Sequence, residues 1–307
     1  MPPMPLLECV PNVSEGRRAE VIDACAAAIR RTEARLLDVS SDPAHHRSVF
    51  TFVGTADALL AGVLALFDVA LSRIDLRRHS GEHPRLGAVD VVPFVPLQGA
   101  SMAECVDLAR RAGAEVARIH DLPVFLYEEA ATQPGRRRLE DIRRGAFEGL
   151  RSKMQGAEWT PDFGPAAPHP SAGASVIGAR RLLIAYNVNL RSKDLAVAKE
   201  IAAAVRERSG GLPSVKAIGI ELFDRDLVQV SMNLTHFEQT SMLQAFERVR
   251  TEAARRGVEV AHSEIVGLVP AAALPPSPKS ALQLDDRFSA DQILENRIAQ
   301  TYGGSHL

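Results

Sequence analysis

The stretch from residue 182 to residue 266 constrains the fold most. Its apolar pattern switches between period two and period 3.6 in a fixed order. Leu182 to Leu190 reads as a strand, Asp194 to Arg208 as a helix and Val215 to Leu222 as a strand. Leu227 to Leu234 is a strand joined to its predecessor by the tight turn Phe223-Asp224-Arg225-Asp226. Ser241 to Arg256 is a helix and Val258 to Val266 a strand. The order β-α-β-β-α-β is that of the ferredoxin-like plait.

The first half repeats that order with an extra strand and helix. Leu6 to Val10 reads as a strand, and Ala19 to Thr32 as a helix with Val21, Ile22, Cys25 and Ile29 on one face. Strands follow at Arg35 to Val39 and Val49 to Gly54, then an apolar helix from Ala56 to Ile74 and a strand from Val89 to Leu97. Ser101 and Glu104 have capping-box spacing for a helix running to His120, and Pro123 to Tyr127 is another strand. Thr132 to Arg144 reads as an arginine-rich, solvated turn and short helix. Trp159 to Ala174, rich in Pro, Gly and Ala, reads as an ordered linker between the halves. The expected class is therefore α+β: two ferredoxin-like βαββαβ subdomains, the first enlarged, spanning residues 1–178 and 179–307. After a Pro/Ala-rich connector, Ser289 with Gln292 predicts a last capping box and a helix to Ala299. Tyr302 to Leu307 is expected to be loose.

Bulk properties exclude several classes. A net charge of −2 gives no basic field for nucleic acid. No apolar run is long enough for a membrane span, and Met1 to Pro5 shows no secretory signal. Cys9, Cys25 and Cys105 make no disulfide framework, which fits a reducing cytoplasm. P-loop, dinucleotide-binding and Gly-x-Ser-x-Gly motifs are absent.

Chemistry-bearing residues crowd into Asp75 to Gly87, where Gly81, Pro84 and Gly87 break any helix. The loop carries His79, Glu82, His83 and Arg85 and runs into an apolar strand that holds Asp90 near its start. Pro84 biases His83 toward an extended backbone, so its imidazole has a narrow range of directions. A solvated surface loop would need neither the Gly-x-x-Pro-x-x-Gly spacing nor Asp90. Elsewhere, Asp42, His45 and His46 share one turn and offer ligand atoms, but fewer than a zinc site takes. A polar or substrate-contacting turn fits them better. Asn187 and Asn189 alternate along a strand and so face one side, where Asn233 of a neighbouring strand could join them. They read either as hydrogen bonding within the sheet or as the polar floor of a cleft.

Several motifs in order carry a resemblance. They are Glu8-Cys9-Val10-Pro11-Asn12-Val13-Ser14-Glu15-Gly16, Arg47-Ser48-Val49-Phe50-Thr51-Phe52-Val53-Gly54 and His79-Ser80-Gly81-Glu82-His83-Pro84-Arg85, followed by Asp162-Phe163-Gly164-Pro165, Gly178-Ala179-Arg180 and Asn187-Val188-Asn189-Leu190. Together they resemble the formiminotransferase domain of histidine degradation, the glutamate formimidoyltransferases, from near the N-terminus to at least Pro270. The resemblance implies transfer of the formimino group from N-formimino-L-glutamate to N5 of tetrahydrofolate, with or without a polyglutamate tail. No metal is expected, since the sequence offers no four-ligand cluster. The resemblance puts the catalytic histidine on His83. It puts folate binding on Gly164, Pro165, Ala166, Ala167, Pro168, His169, Pro170, Ser171, Ala172 and Gly173. It also implies a homodimer whose two plaits enclose a charged tunnel. From the repeated element order and the linker composition, the cleft between the halves is expected to be lined by the Asn12 to Gly16 turn, the His79 to Gly87 loop and Gly164 to Gly173.

Some members of the family fuse a cyclodeaminase domain. None follows Leu307, so release of 5-formiminotetrahydrofolate to a separate cyclodeaminase is expected. Ser40 stands where some members carry an aspartate, with Asp38 and Asp42 the nearest substitutes, and His46 stands where Asn is common. Both substrates carry carboxylates, and arginine clamps these bidentately. Arg47, Arg85, Arg180 and Arg181 are candidates, and Asn12, Ser14, Asn187 and Asn189 are further substrate contacts. Three rivals remain: a folate-binding regulator without turnover, formimino transfer involving glycine, and a plait that binds RNA. The last is disfavoured by aromatic residues at only 5%.

Overall fold

A computed structural model describes residues 5–43, 45–81, 84–222 and 226–303. Ala44, Glu82, His83, Phe223, Asp224, Arg225 and the last residues of the tail lie outside the described residues. The chain forms two compact units, residues 1–180 and 181–307.

In the first unit the order is β1 (Leu7–Cys9), β2 (Asn12–Val13), α1 (Ala19–Arg30), β3 (Arg35–Asp42), β4 (Arg47–Gly54) and α2 (Ala56–Arg73). It continues with β5 (Val89–Pro96), α3 (Met102–His120), β6 (Val124–Glu128), α4 (Leu139–Ile142), α5 (Ala146–Lys153) and β7 (Ser175–Ala179). β1 and β2 are one strand broken at Pro11, which has no N–H to give the ladder. Both pieces lie between β4 and β5, antiparallel to each. The sheet order is therefore β3-β4-β1/β2-β5, extended in parallel by β7 and then β6.

The first four positions are a plait. The extension differs from expectation, because the Pro/Gly/Ala-rich stretch is no linker. It ends in β7, which is buried throughout and sits between β5 and β6.

Alternation of side chains divides the sheet's two faces. Leu7, Cys9, Phe50, Phe52, Val92 and Phe94 face α1, α2 and α3 in the main core. Capping of α3 by Ser101 and Glu104 forms as the spacing predicts. On the opposite face Val91, Phe125, Tyr127 and Val176 meet Ile142 of α4 and Leu150 of α5.

The arginine-rich segment is not simply solvated. Arg136 is 2% exposed, donates to Asp162 Oδ2 (3.0 Å) and to the carbonyls of Glu158 and Thr160, and lies over the Phe125 ring. Burying a guanidinium is tolerable only with this many acceptors.

The second unit runs β8 (Ile184–Leu190), α6 (Leu195–Val205), β9 (Val215–Leu222), β10 (Leu227–Leu234), α7 (Met242–Ala254) and β11 (Val260–Val266). Its sheet order β11-β8-β10-β9 is antiparallel throughout, which is plait topology. Tyr186, Val188, Val230 and Met232 pack on Ile201 of α6 and on Phe246 and Val249 of α7. Two short helices close the unit, α8 (Pro278–Ala281) and α9 (Leu294–Thr301).

The last predicted capping box does not form. Ser289 accepts from Asp291 N, and the Gln292 amide is drawn to the carbonyls of Ile265 and Gly267. That tether delays the helix start to Leu294.

Candidate active site

Three separate segments of the first unit converge beside β5. The Ser14 hydroxyl donates to the Gly87 carbonyl at 2.7 Å, and Ser14 N donates to Ala88 O at 2.9 Å. Gly87 bridges Gly173, Ala88 N donates to Ala172 O (3.0 Å) and Ala174 N to Leu86 O (3.2 Å). The Asn12 to Gly16 turn, the C-terminal half of the His79 to Gly87 loop and the end of the Gly164 to Gly173 stretch are therefore one structure. The approach is too close for side chains: a Cβ at Gly87 would lie 2.1 Å from Ala174 O, and one at Gly173 2.1 Å from Leu86 O. Gly173 also has φ +70°.

Asp90 closes the loop from below. It is 2% exposed, accepts from Leu86 N (2.5 Å) and Gly87 N (3.3 Å), and pairs with Arg143. A carboxylate buried in an apolar strand is held by what it ties together. Arg85 reaches the other way. It donates to the His79 carbonyl at 3.2 Å and bidentately to Glu148 at 2.7 and 3.2 Å.

At the N-terminal end of the loop, a Cβ on Gly81 would meet His45 O and His46 Cβ, both at 2.7 Å. The loop thus leans on the β3–β4 turn. His46 has φ +52°, a left-handed conformation that Asn adopts more readily than His. The His46 and His79 rings meet edge to face at 4.1 Å between centroids. His79 Nε2 donates to His46 O at 3.0 Å, and His46 Nε2 lies 3.4 Å from Glu15 Oε1. Burial, then the neighbouring His79 ring, pushes the His46 pKa down to about 4. Burial also lowers His79. Burial pulls Glu15 up, but the N–H groups of Arg18 and Arg17 outweigh it and hold the carboxyl below its usual range.

Asp42 pairs with His45 at 2.6 Å while His46 turns to Glu15 and His79, so these three do not converge on one metal-sized point. Arg47 is largely buried, with Arg143, Asp42 and Asp90 as its charged neighbours. The Gly164 to Gly173 stretch is pinned at both ends. A Cβ on Gly164 (φ +85°) would meet Leu122 O at 2.4 Å. His169 and Gly173 exchange backbone hydrogen bonds of 2.8 and 3.0 Å. Between the ends, Gly164, Ala166, Ala167 and Pro170 are exposed. His83 itself lies outside the described residues, though both flanks of its loop are fixed as above.

One buried acid escaped the sequence reading. Glu8 is 5% exposed on the sheet face away from α1 to α3. Its alternation with Leu7 and Cys9 was the signal available. Burial, partly offset by the Arg180 guanidinium, raises its pKa to about 7. A raised acid keeps its proton in the folded state while the unfolded chain releases it near 4.5, so stability falls as pH rises from there to about 7. Glu8→Gln removes this penalty. Thermal melts should show the variant gaining up to about 3 kcal/mol over the parent at about pH 8, with no gain at about pH 4.

In the second unit Asn187 and Asn189 do share a face, but Gln229 and not Asn233 completes the group. Gln229 Nε2 donates to Asn189 Oδ1 (2.9 Å) and Glu264 Oε1 (3.0 Å), and Asn233 is exposed. Gln229 and Asn233 lie on the same face of β10, so period two alone could not choose between them.

A glycine-pinned cluster of histidine, arginine and carboxylate on one plait, with a second plait following, defines a two-plait α+β protein. Sequence comparison makes that class specific. Residues 6–180 match the formiminotransferase domain, N-terminal subdomain, and residues 185–300 match the formiminotransferase domain. The chain belongs to the formiminotransferase domain family. It is 47% identical to a glutamate formimidoyltransferase of Thermoplasma acidophilum over 96% of this chain and 98% of the relative. Against a glutamate formimidoyltransferase of Streptococcus pyogenes serotype M1 it is 42% identical over 95% and 98%. A formimidoyltransferase-cyclodeaminase of Rattus norvegicus is 46% identical over 88% of this chain and 51% of its own length. No helix among the described residues is long and apolar enough to cross a membrane.

Proposed function

We propose that the chain transfers the formimino group of N-formimino-L-glutamate to N5 of tetrahydrofolate, giving 5-formiminotetrahydrofolate and L-glutamate. The 47% identity to a glutamate formimidoyltransferase across 98% of that relative carries the reading. The convergence of three loop segments beside β5 supports it. N5 attacks the amidine carbon, and a tetrahedral intermediate expels the glutamate amine. N5 must lose a proton and the leaving amine must gain one. His83 is assigned that transfer, since an imidazole changes charge near neutral pH.

The described residues hold the loop for that task. Asp90 and Arg143 fix its C-terminal end, and Arg85 with Glu148 spans it. The Gly164 to Gly173 stretch is assigned to tetrahydrofolate, whose polyglutamate tail would add carboxylates for nearby arginines. Arg47, Arg180, Asn12, Ser14 and Asn187 are assigned to substrate contacts, whereas Asn189, wholly buried and bonded to Gln229 and His262, has a positioning part. Arg85 is already committed to Glu148, which makes its part that of holding the loop. No metal is invoked, because the amidinium is itself the electrophile. A cytoplasmic homodimer, handing its product to a separate cyclodeaminase, completes the reading.

Turnover of formiminoglutamate with tetrahydrofolate, assayed with and without chelator, tests the reading. The expected result is chelator-independent production of glutamate. Folate binding without turnover would instead make the chain a regulator. Faster turnover of formiminoglycine would move the donor to glycine.

A further inference from the structure

One lysine of the first unit stands apart from every residue assigned above, yet it holds the segment that holds the loop. The chain from the end of α4 into α5 grips the C-terminal flank of the His79 to Gly87 loop at three points. Arg143 pairs with Asp90, which accepts from Leu86 N (2.5 Å) and Gly87 N (3.3 Å). Phe147 N donates to the Arg85 carbonyl at 2.9 Å, and Glu148 takes the Arg85 guanidinium bidentately.

This segment has little order of its own to offer. α4 has four residues and α5 eight, too few for either helix to persist without tertiary contacts. Between them Gly145 and Ala146 have φ +91° and +51°, and alanine rarely adopts the second. Such a conformation lasts only where the surroundings over-determine it.

Lys153, the last residue of α5, supplies the constraint. Its ammonium donates to the carbonyls of Asp141 (2.7 Å), Ile142 (2.7 Å) and Arg144 (3.2 Å), on both sides of Arg143. Three N–H donors thus meet three acceptors at the C-terminal end of α4, where unpaired carbonyls attract a cation. Nζ also lies 3.7 Å from the centroid of the Trp159 ring. The Asp141 carboxylate is taken by Arg144 at 2.7 Å, so the lysine ties down backbone rather than a mobile side chain. Burial lowers the Lys153 pKa to about 8, with Arg144 adding to the fall and Asp141 opposing it. The charged form, with all three donors, therefore predominates at neutral pH.

We infer that Lys153 is a positioning residue for the transfer: by clasping the backbone on both sides of Arg143 it aims that segment at Asp90 and Arg85, and so sets the loop that carries His83. This rests on the proposed function, in which that loop supplies the proton-transfer group.

Amide hydrogen exchange, read by NMR in the parent and in Lys153→Met, tests the positioning without a substrate. Leu86, Gly87 and Phe147 should exchange about tenfold faster in the variant, the effect of losing about one hydrogen bond to a charged group. Val116 of α3 and Val249 of α7 should be unchanged. A uniform rise at all five amides would make Lys153 a general stabiliser, and no change at the first three would leave the loop independent of it. Either result overturns the inference. With formiminoglutamate and tetrahydrofolate, kcat of Lys153→Met should fall about tenfold or more while KM changes little, since misplacing a reacting group by about 1 Å is felt in the transition state. Faster local exchange with parental kcat overturns the role in the reaction. A parent without turnover overturns the transfer reading, and the exchange measurement still decides whether Lys153 sets the loop. If Lys153→Met does not fold, Lys153→Gln, which keeps one NH₂ on a shorter arm, should show the same local pattern.

Discussion

His83→Ala should lower kcat by about 10²–10⁴-fold, the range for a positioned acid–base group. KM for both substrates should change little, because the proton moves in the transition state rather than on binding. Melting should also change little, since Asp90, Arg143 and Arg85 already tie down the described flanks of the loop. The pH profile of kcat should lose its limb in the histidine range. A variant with near-normal kcat and raised KM would make His83 a substrate clamp. The proton transfer would then fall to another group, and the geometry favours neither neighbour. His46 is pushed down to about 4, and His79 spends its Nε2–H on a carbonyl.

The second large effect is on stability. Asp90→Asn keeps the shape of the side chain but strips the charge that faces Arg143, and both groups are nearly buried. Leaving a guanidinium unpaired in such a place costs about 3–5 kcal/mol. Urea unfolding should show that loss as a lower midpoint at unchanged slope. Activity measured well below the midpoint should also fall, because the asparagine must turn either its oxygen or its NH₂ to Leu86 N and Gly87 N. A loss under about 1 kcal/mol would mean that Arg143 finds another acceptor.

Much of this was legible in the sequence, for physical reasons. The plait order follows from apolar periodicity, and the Ser101 and Glu104 cap from side-chain chemistry local to one turn. Asp90 stood out because a carboxylate in an apolar strand demands partners. What stayed hidden was decided at long range. Arg136 and Arg143 pattern like solvated arginines, and only their distant partners Asp162 and Asp90 bury them. Ser175 to Ala179 is a short run of mostly small residues after a proline-rich stretch, with no period to read. Gln292 satisfied its cap spacing and lost to two carbonyls at the end of β11.

That same short run has a consequence for how the molecule is made. β7 is the last strand of the first unit to leave the ribosome, yet it sits between β5 and β6, which are finished about fifty residues or more earlier at synthesis rates of about 5–20 residues per second. Until it arrives, β5 and β6 have no common neighbour, and their facing edges carry unpaired N–H and C=O groups. The nascent unit must therefore wait with an open slot in its sheet, closed only by contacts distant in sequence. Truncation anywhere before residue 175 leaves that slot unfilled, and the Gly87–Gly173 contact is then either lost with Gly173 or left with no β7 behind it.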